Sequence, residues 1–259
     1  MRRLVPLILC ALLACCGDEV AQSAAREATA ARQQGPATEL GAPSVTTNRP
    51  AGTSTVPPPT IISTTTVPPT TVPVFVSAIS DIPETRLTYS WRPGCPVAPR
   101  DLRLLQLTYW GFDDQAHQGE LVVNARHAEA IVSVFAHLFE MRYPIERMEL
   151  VDAYEGNDDR SMVANNTSAF NCREVAGSPG VMSQHAMGTA IDVNPLINPW
   201  VHSGKVEPPQ SAQYADRTKP WKGVITADDV VVRAFAAIGW GWGGYWPGSY
   251  DYQHFAAGG

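Results

Sequence analysis

The stretch SQHAMGTAIDVNP, Ser183 to Pro195, sets His185 and Asp192 seven residues apart, with Gly188 and Ala190 between them. Ala190, Ile191 and Val193 form a short apolar run through Asp192, which reads as a tight turn feeding a strand. Small residues let the backbone fold closely, so a histidine on the turn and a carboxylate on the strand can converge on one point. A second stretch, DYQHF, Asp251 to Phe255, adds His254 and, three residues before it, Asp251. Two histidines and one carboxylate are the protein half of a catalytic zinc site, whose fourth position is left for water. Asp251 is then the expected base acting on that water.

A histidine near an aspartate is by itself more often a hydrogen-bonded pair than a metal site. The longer pattern is more specific: Ser-x-His-x-x-Gly-x-Ala-x-Asp, then a tryptophan-rich segment and Asp-x-x-His. It resembles the zinc D-Ala-D-Ala metallopeptidase family, which includes D,D-carboxypeptidases, vancomycin-resistance D,D-dipeptidases and phage L-alanyl-D-glutamate endopeptidases. The resemblance covers roughly Leu87 to Phe255. It implies one zinc ion on His185, Asp192 and His254, with Asp251 as general base, in a hedgehog/D,D-peptidase-like fold. It also implies an arginine upstream of the first ligand that takes a substrate carboxylate through paired hydrogen bonds. Arg160 and Arg173 both stand upstream; Arg173 is preferred, being nearer the first ligand and beside Cys172. Ser183 matches the family's Ser-x-His, where it contacts substrate, although a serine there is equally a turn former.

The N-terminus, MRRLVPLILCALLACCGDEV, has two arginines, a short apolar run and small residues. It reads as an export signal over 1–16, too short to stay as a membrane-spanning helix. Leu12 to Cys15 looks like a bacterial lipobox, which would lipidate Cys15; an ordinary cleaved signal is the other reading. Of the five cysteines, Cys10, Cys15 and Cys16 fall in this region. The remaining two, Cys95 and Cys172, are expected to pair as a disulfide in an oxidising compartment. Residues 17–82 are dense in Thr and Pro toward their end and read as a disordered linker, because such a run buries too little apolar surface to order itself.

Residues 83–259 remain for one domain, the expected zinc peptidase domain. Strands are expected at Asp101 to Phe112, Gly119 to Asn124 and Ile145 to Tyr154. A helix capped by Asn124 carries Ile131, Val134, Phe135 and Leu138 at helical spacing and ends before Pro144. A second opens at Thr226 with Asp229 three residues on, and stops at Gly239. Glu155 to Arg173 reads as loop. Helices packed on one side of a small antiparallel sheet, an α+β fold, is the simplest assembly.

In GWGWGGYWPGSYDYQHF, aromatics alternate with glycines just before the last ligand. Trp242 and Trp246 are expected near the zinc, with Trp246 the candidate for substrate contact. His117 with Glu120 has a His-x-x-Glu spacing but reads as structural, and His202 reads as a solvated loop residue. No His-Glu-x-x-His, Ser-x-x-Lys or Gly-x-Ser-x-Gly occurs, so the serine routes to this hydrolysis lack their nucleophile signatures. A formal net charge of −6 with few lysines offers no basic face for nucleic acid.

The expected partners are peptidoglycan stem peptides, cut either as a D-alanyl-D-alanine carboxypeptidase or as an L-alanyl-D-glutamate endopeptidase. The protein is expected to act as an exported monomer, held at the cell envelope through its lipid anchor. The alternatives are a non-catalytic zinc-containing wall-binding module, as in the hedgehog amino-terminal domain, and a mainly structural lipoprotein.

Overall fold

The computed structural model describes residues 72–258. The expected export signal with Cys15, and positions 17–71 of the expected linker, lie outside them. The last part of that linker is not linker: Ser77–Asp81 forms strand β1, antiparallel to β2, Leu102–Trp110. Phe75 and Ile79 pack against the core and anchor this segment, which a Thr/Pro-based reading of composition passes over.

Strand β2 also pairs with β3, Ala116–Asn124, giving the order β1-β2-β3. Alternate residues of a strand face opposite sides. Leu105, Leu107 and Tyr109 of β2 with Leu121 and Val123 of β3 therefore face one core. Leu102, Leu104 and Val122 face a second, beside Leu87, Phe170 and Cys172. Helix α1, Ala128–Glu140, covers the first face with Ile131, Val134, Phe135 and Leu138, as its spacing predicts. Asn124 caps a short 3-10 turn before it, its side chain accepting from the Arg126 amide. The second face is closed by the Cys95–Cys172 disulfide, whose Cα atoms lie 5.9 Å apart.

Two expectations fail in the next segment. Ile145 to Tyr154 keeps only a two-residue strand, β4, Arg147–Met148, parallel to β5, Asn166–Thr167. Asparagine side chains stand in for a neighbouring strand. Asn194 accepts from the Glu146 amide at 3.1 Å and donates to the Pro144 carbonyl at 2.8 Å. Asn166 does the same for Glu149, at 2.9 and 3.0 Å. The expected loop Glu155 to Arg173 contains helix α2, Asp158–Val163, capped by Asn157. It is too short and polar to show a helical period.

The C-terminal half supplies two further three-stranded antiparallel sheets. Strand β6, Ala190–Asp192, is followed by the hairpin β7, Trp200–His202, and β8, Lys205–Glu207. Helix α3, Val230–Ala237, is capped by Asp229 rather than by Thr226, because the Asp229 carboxylate accepts from the Val231 amide. It ends before Gly239, as expected. Strands β9, Trp240–Trp242, β10, Ser249–Asp251, and β11, His254–Ala257, complete the sheets, in the orders β6-β11-β9 and β10-β7-β8. The Phe235 and Phe255 rings stack at 4.2 Å and join α3 to the central strand β11. The architecture is α+β, with small antiparallel sheets and few helices. No described helix is long and apolar enough to cross a membrane.

Candidate metal centre

Asp192 and His254 are placed by register: in the β6–β11 pair they are direct cross-strand partners. Opposed residues on one face of such a pair bring their side chains together, and His254 Nδ1 lies 3.0 Å from Asp192 Oδ1. His185 arrives from the other side on a 3-10 turn, Gln184–Met187, that Ser183 caps by accepting from the His185 amide at 3.2 Å. The turn closes through Gly188 at φ +65°, whose carbonyl accepts from the Asn124 amide at 2.8 Å. A Cβ there would meet that same nitrogen at 2.7 Å, so only glycine lets the turn dock on the end of β3. His185 Nε2 thereby reaches 3.2 Å from Asp192 Oδ2 and 3.3 Å from His254 Nδ1. One ligand atom from each of the three buried residues falls within 4.8 Å of the others.

Their outward hydrogen bonds fix which nitrogens face inward. His185 Nδ1 lies 2.6 Å from the Ala169 carbonyl, which can only accept, so Nδ1 carries the proton and Nε2 presents a lone pair. His254 Nε2 lies 3.3 Å from Gln184 Oε1. The Gln184 amide is oriented by its NH2 group, which donates to the Ala257 carbonyl at 3.3 Å, so His254 Nε2 donates and Nδ1 faces inward. Two lone pairs and a carboxylate pointed at one buried spot repel each other unless a cation lies between them. These residues fit a single metal ion, with the outer partners that orient such ligands.

The electrostatics agree. Burial alone would push the Asp192 carboxyl up, but the charges and hydrogen bonds of His185 and His254 outweigh it and hold the group well below the usual carboxylate range. Burial alone would lower His254; the hydrogen bond and charge of Asp192 reverse this and raise it above its ordinary value. A proton is drawn to the place a metal would take.

Asp251 stands at the end of β10, opposite Trp200 of β7, and lines the same cleft. The turn that follows β9 can close over it because residue 243 is glycine: a Cβ there would lie 2.6 Å from the Asp251 carbonyl oxygen. Burial pushes the Asp251 carboxyl up to about 6, His254 opposing the rise and Asp192 adding to it. Its Oδ1 is buried without a hydrogen-bond partner among the described residues.

The cleft has a volume of about 250 Å³, and Arg173, Ser183, Trp246 and Gln253 also line it. Arg173 is in it and Arg160 is not. Arg173 is tied to Asp158 at 2.7 Å, whereas Arg160 pairs with Glu155 at 2.7 Å. The Trp246 ring lies 5.4 Å from that of His254. Trp242 departs from expectation, being buried in the core with its Nε1 donating to the Tyr252 carbonyl. His202 is not solvated but half-buried, stacked on Trp200 at 3.6 Å. His117 pairs with Asp113 at 3.0 Å and Glu120 with Arg86 at 2.6 Å, the structural roles expected of them. The sequence reading missed Gln184, Asp158 and Gln253, which no motif marks. A larger hollow of about 580 Å³, lined by Arg86, Gln106, Gln118 and Glu120 among others, contains none of the candidate ligands.

Fold and centre together define a class, an α+β domain that can hold one metal ion in an open cleft beside a spare acid. Residues 176–257, which include His185, Asp192, Asp251 and His254, match the family model described as D-alanyl-D-alanine carboxypeptidase. Arg173 and the sheet β1-β2-β3 lie before the matched segment. No curated protein and no solved structure matches the chain.

Proposed function

We propose that this protein hydrolyses an amide bond in the stem peptide of peptidoglycan, using one zinc ion held by His185, Asp192 and His254. The observation that carries the reading is the pair of inward imidazole lone pairs meeting a carboxylate, with an unpaired acid oxygen alongside. When bound, zinc supplies Lewis acidity, lowering the pKa of water and polarising a carbonyl. Asp251 takes the proton released by the attacking water and delivers it to the leaving nitrogen, so the C–N bond breaks to give a carboxylate and an amine. Trp246 forms one wall beside His254, and Arg173, through its Nε, is the cation available to a substrate carboxylate.

A carboxylate clamp favours the D-alanyl-D-alanine carboxypeptidase reading, in keeping with the description of the matched family model. A lipidated Cys15 and a Thr/Pro-rich tether would bring this cleft to the cell wall. Mass spectrometry of muropeptides after digestion tests the reading. Loss of one alanine marks the carboxypeptidase, and scission at L-alanyl-D-glutamate marks the endopeptidase. Unchanged muropeptides with a full complement of zinc would leave a binding module instead. Asp251→Asn is expected to retain zinc and lose at least about a hundredfold in turnover; undiminished turnover would remove Asp251 from its role.

A further inference from the structure

Gln253 lies between the proposed base and the last ligand, and its side chain has no role in the scheme above. Its backbone carbonyl accepts from the Val193 amide at 2.9 Å, which fixes the residue against the end of β6. Only 3% of its surface is exposed, yet it lines the cleft with Asp251, His185 and His254. The NH2 end of its amide faces Met162 Sδ at 3.7 Å, a weak acceptor, and lies on the side of Asp251, whose ionised form it favours. The other end, Oε1, is buried and has no donor among the described residues. A buried amide oxygen left unmatched is costly, and native structures rarely keep one without a reason. What relieves it must bring a hydrogen-bond donor, an N–H or an O–H, against that oxygen. A peptide carries one at each ordinary linkage, and an ester carries none.

We propose that Gln253 is a specificity-determining residue, whose Oε1 accepts a hydrogen bond from one backbone N–H of the bound peptide and so sets which linkage lies over the metal. This rests on the reading of the cleft as a stem-peptide site. A site built around such a hydrogen bond rejects the analogue lacking the donor, because its own polar group is then stranded.

The test is a binding cycle, free of turnover, in the zinc-loaded Asp251→Asn protein. The ligands are a stem pentapeptide ending in D-alanyl-D-alanine and a series in which each amide in turn is replaced by an ester. One replacement is expected to weaken binding about tenfold. Adding Gln253→Met should weaken the all-amide peptide about tenfold and make that same replacement cost nothing further. Zinc content and melting temperature report whether the Met variant is folded. The ester series on the Asp251→Asn protein needs no change at Gln253, and if every replacement there is neutral the proposal is overturned. It is also overturned if Gln253→Met binds the all-amide peptide as tightly as its parent, or if each ester costs the same with and without Gln253. Failure of the parent to bind any pentapeptide would overturn the stem-peptide reading itself, and this inference with it.

Discussion

Whether His254 presents a lone pair or a proton to the centre is decided by a neutral amide, Gln184, 3.3 Å away on its far side. Partners of this kind contribute to metal affinity without touching the metal. Gln184→Leu is expected to leave the fold intact and weaken zinc binding by about 10- to 100-fold, measured by competition with a chelator of known affinity. Asp251 allows a test that requires no metal. Burial raises its folded-state pKa to about 6 from an ordinary 3.8. The stability linked to it is therefore fully present below about pH 4 and is lost as the pH rises through about 6. In chelated protein, Asp251→Asn should be more stable than the parent at pH 7.5 by up to about 3 kcal/mol, and less where water enters the cleft, with the gap closing toward pH 4. Paired thermal melts across that range check it; a gap that does not change with pH would show that the carboxyl is not penalised by burial.

At the scale of elements, the ligand turn depends on its landing site. Gly188→Ala would place a side chain at φ +65° with its Cβ 2.7 Å from the Asn124 amide nitrogen, inside a docked backbone. A loss of at least about 2 kcal/mol in denaturant unfolding is expected, together with weaker metal binding, because the turn that carries His185 must shift. An unchanged midpoint would mean the docking contributes little. The elements also show what a sequence can reveal. Helix α1 was legible because Ile131, Val134, Phe135 and Leu138 repeat at the helical period, and β2 because its apolar alternation ends in aromatics. The strand expected over Ile145 to Tyr154 shrank to two residues because Asn166 and Asn194 supply its hydrogen bonds from distant positions. No local pattern announces such a substitute. Helix α2 was hidden by its brevity. At the site, the residues inside a motif were legible and met as the pattern required. Gln184 and Gln253, ordinary letters within the same motifs, gain their meaning only from what the fold sets beside them. Trp242 and Trp246 look alike in the sequence, and only strand pairing sends one to the core and the other to the cleft.

For the whole molecule, the disulfide connects regions that are far apart in the chain. Cys95 and Cys172 are separated by 77 positions, and the bond closes the face of the β1-β2-β3 sheet that α1 leaves uncovered. Closing a loop of that length is worth about 4 kcal/mol of chain entropy. The double variant Cys95→Ala, Cys172→Ala should lose most of that in chemical unfolding. Equal unfolding free energies with and without the bond would show that the second core holds that face unaided. Because Arg173 follows Cys172 directly, the same variant reports whether the bond also steadies the rim of the cleft.

In the pairing of β6 with β11, Asp192 faces His254 while the next pair, Ile191 and Phe255, is fully buried in the main core. The two strands thus alternate between the candidate metal centre and hydrocarbon, one step apart. Adding or deleting a single codon in either strand would exchange the two sides, turning the imidazole into the hydrocarbon and a phenyl ring out toward the candidate centre. Such a chain could vary many of its letters here, but along these strands their number would have to change in twos.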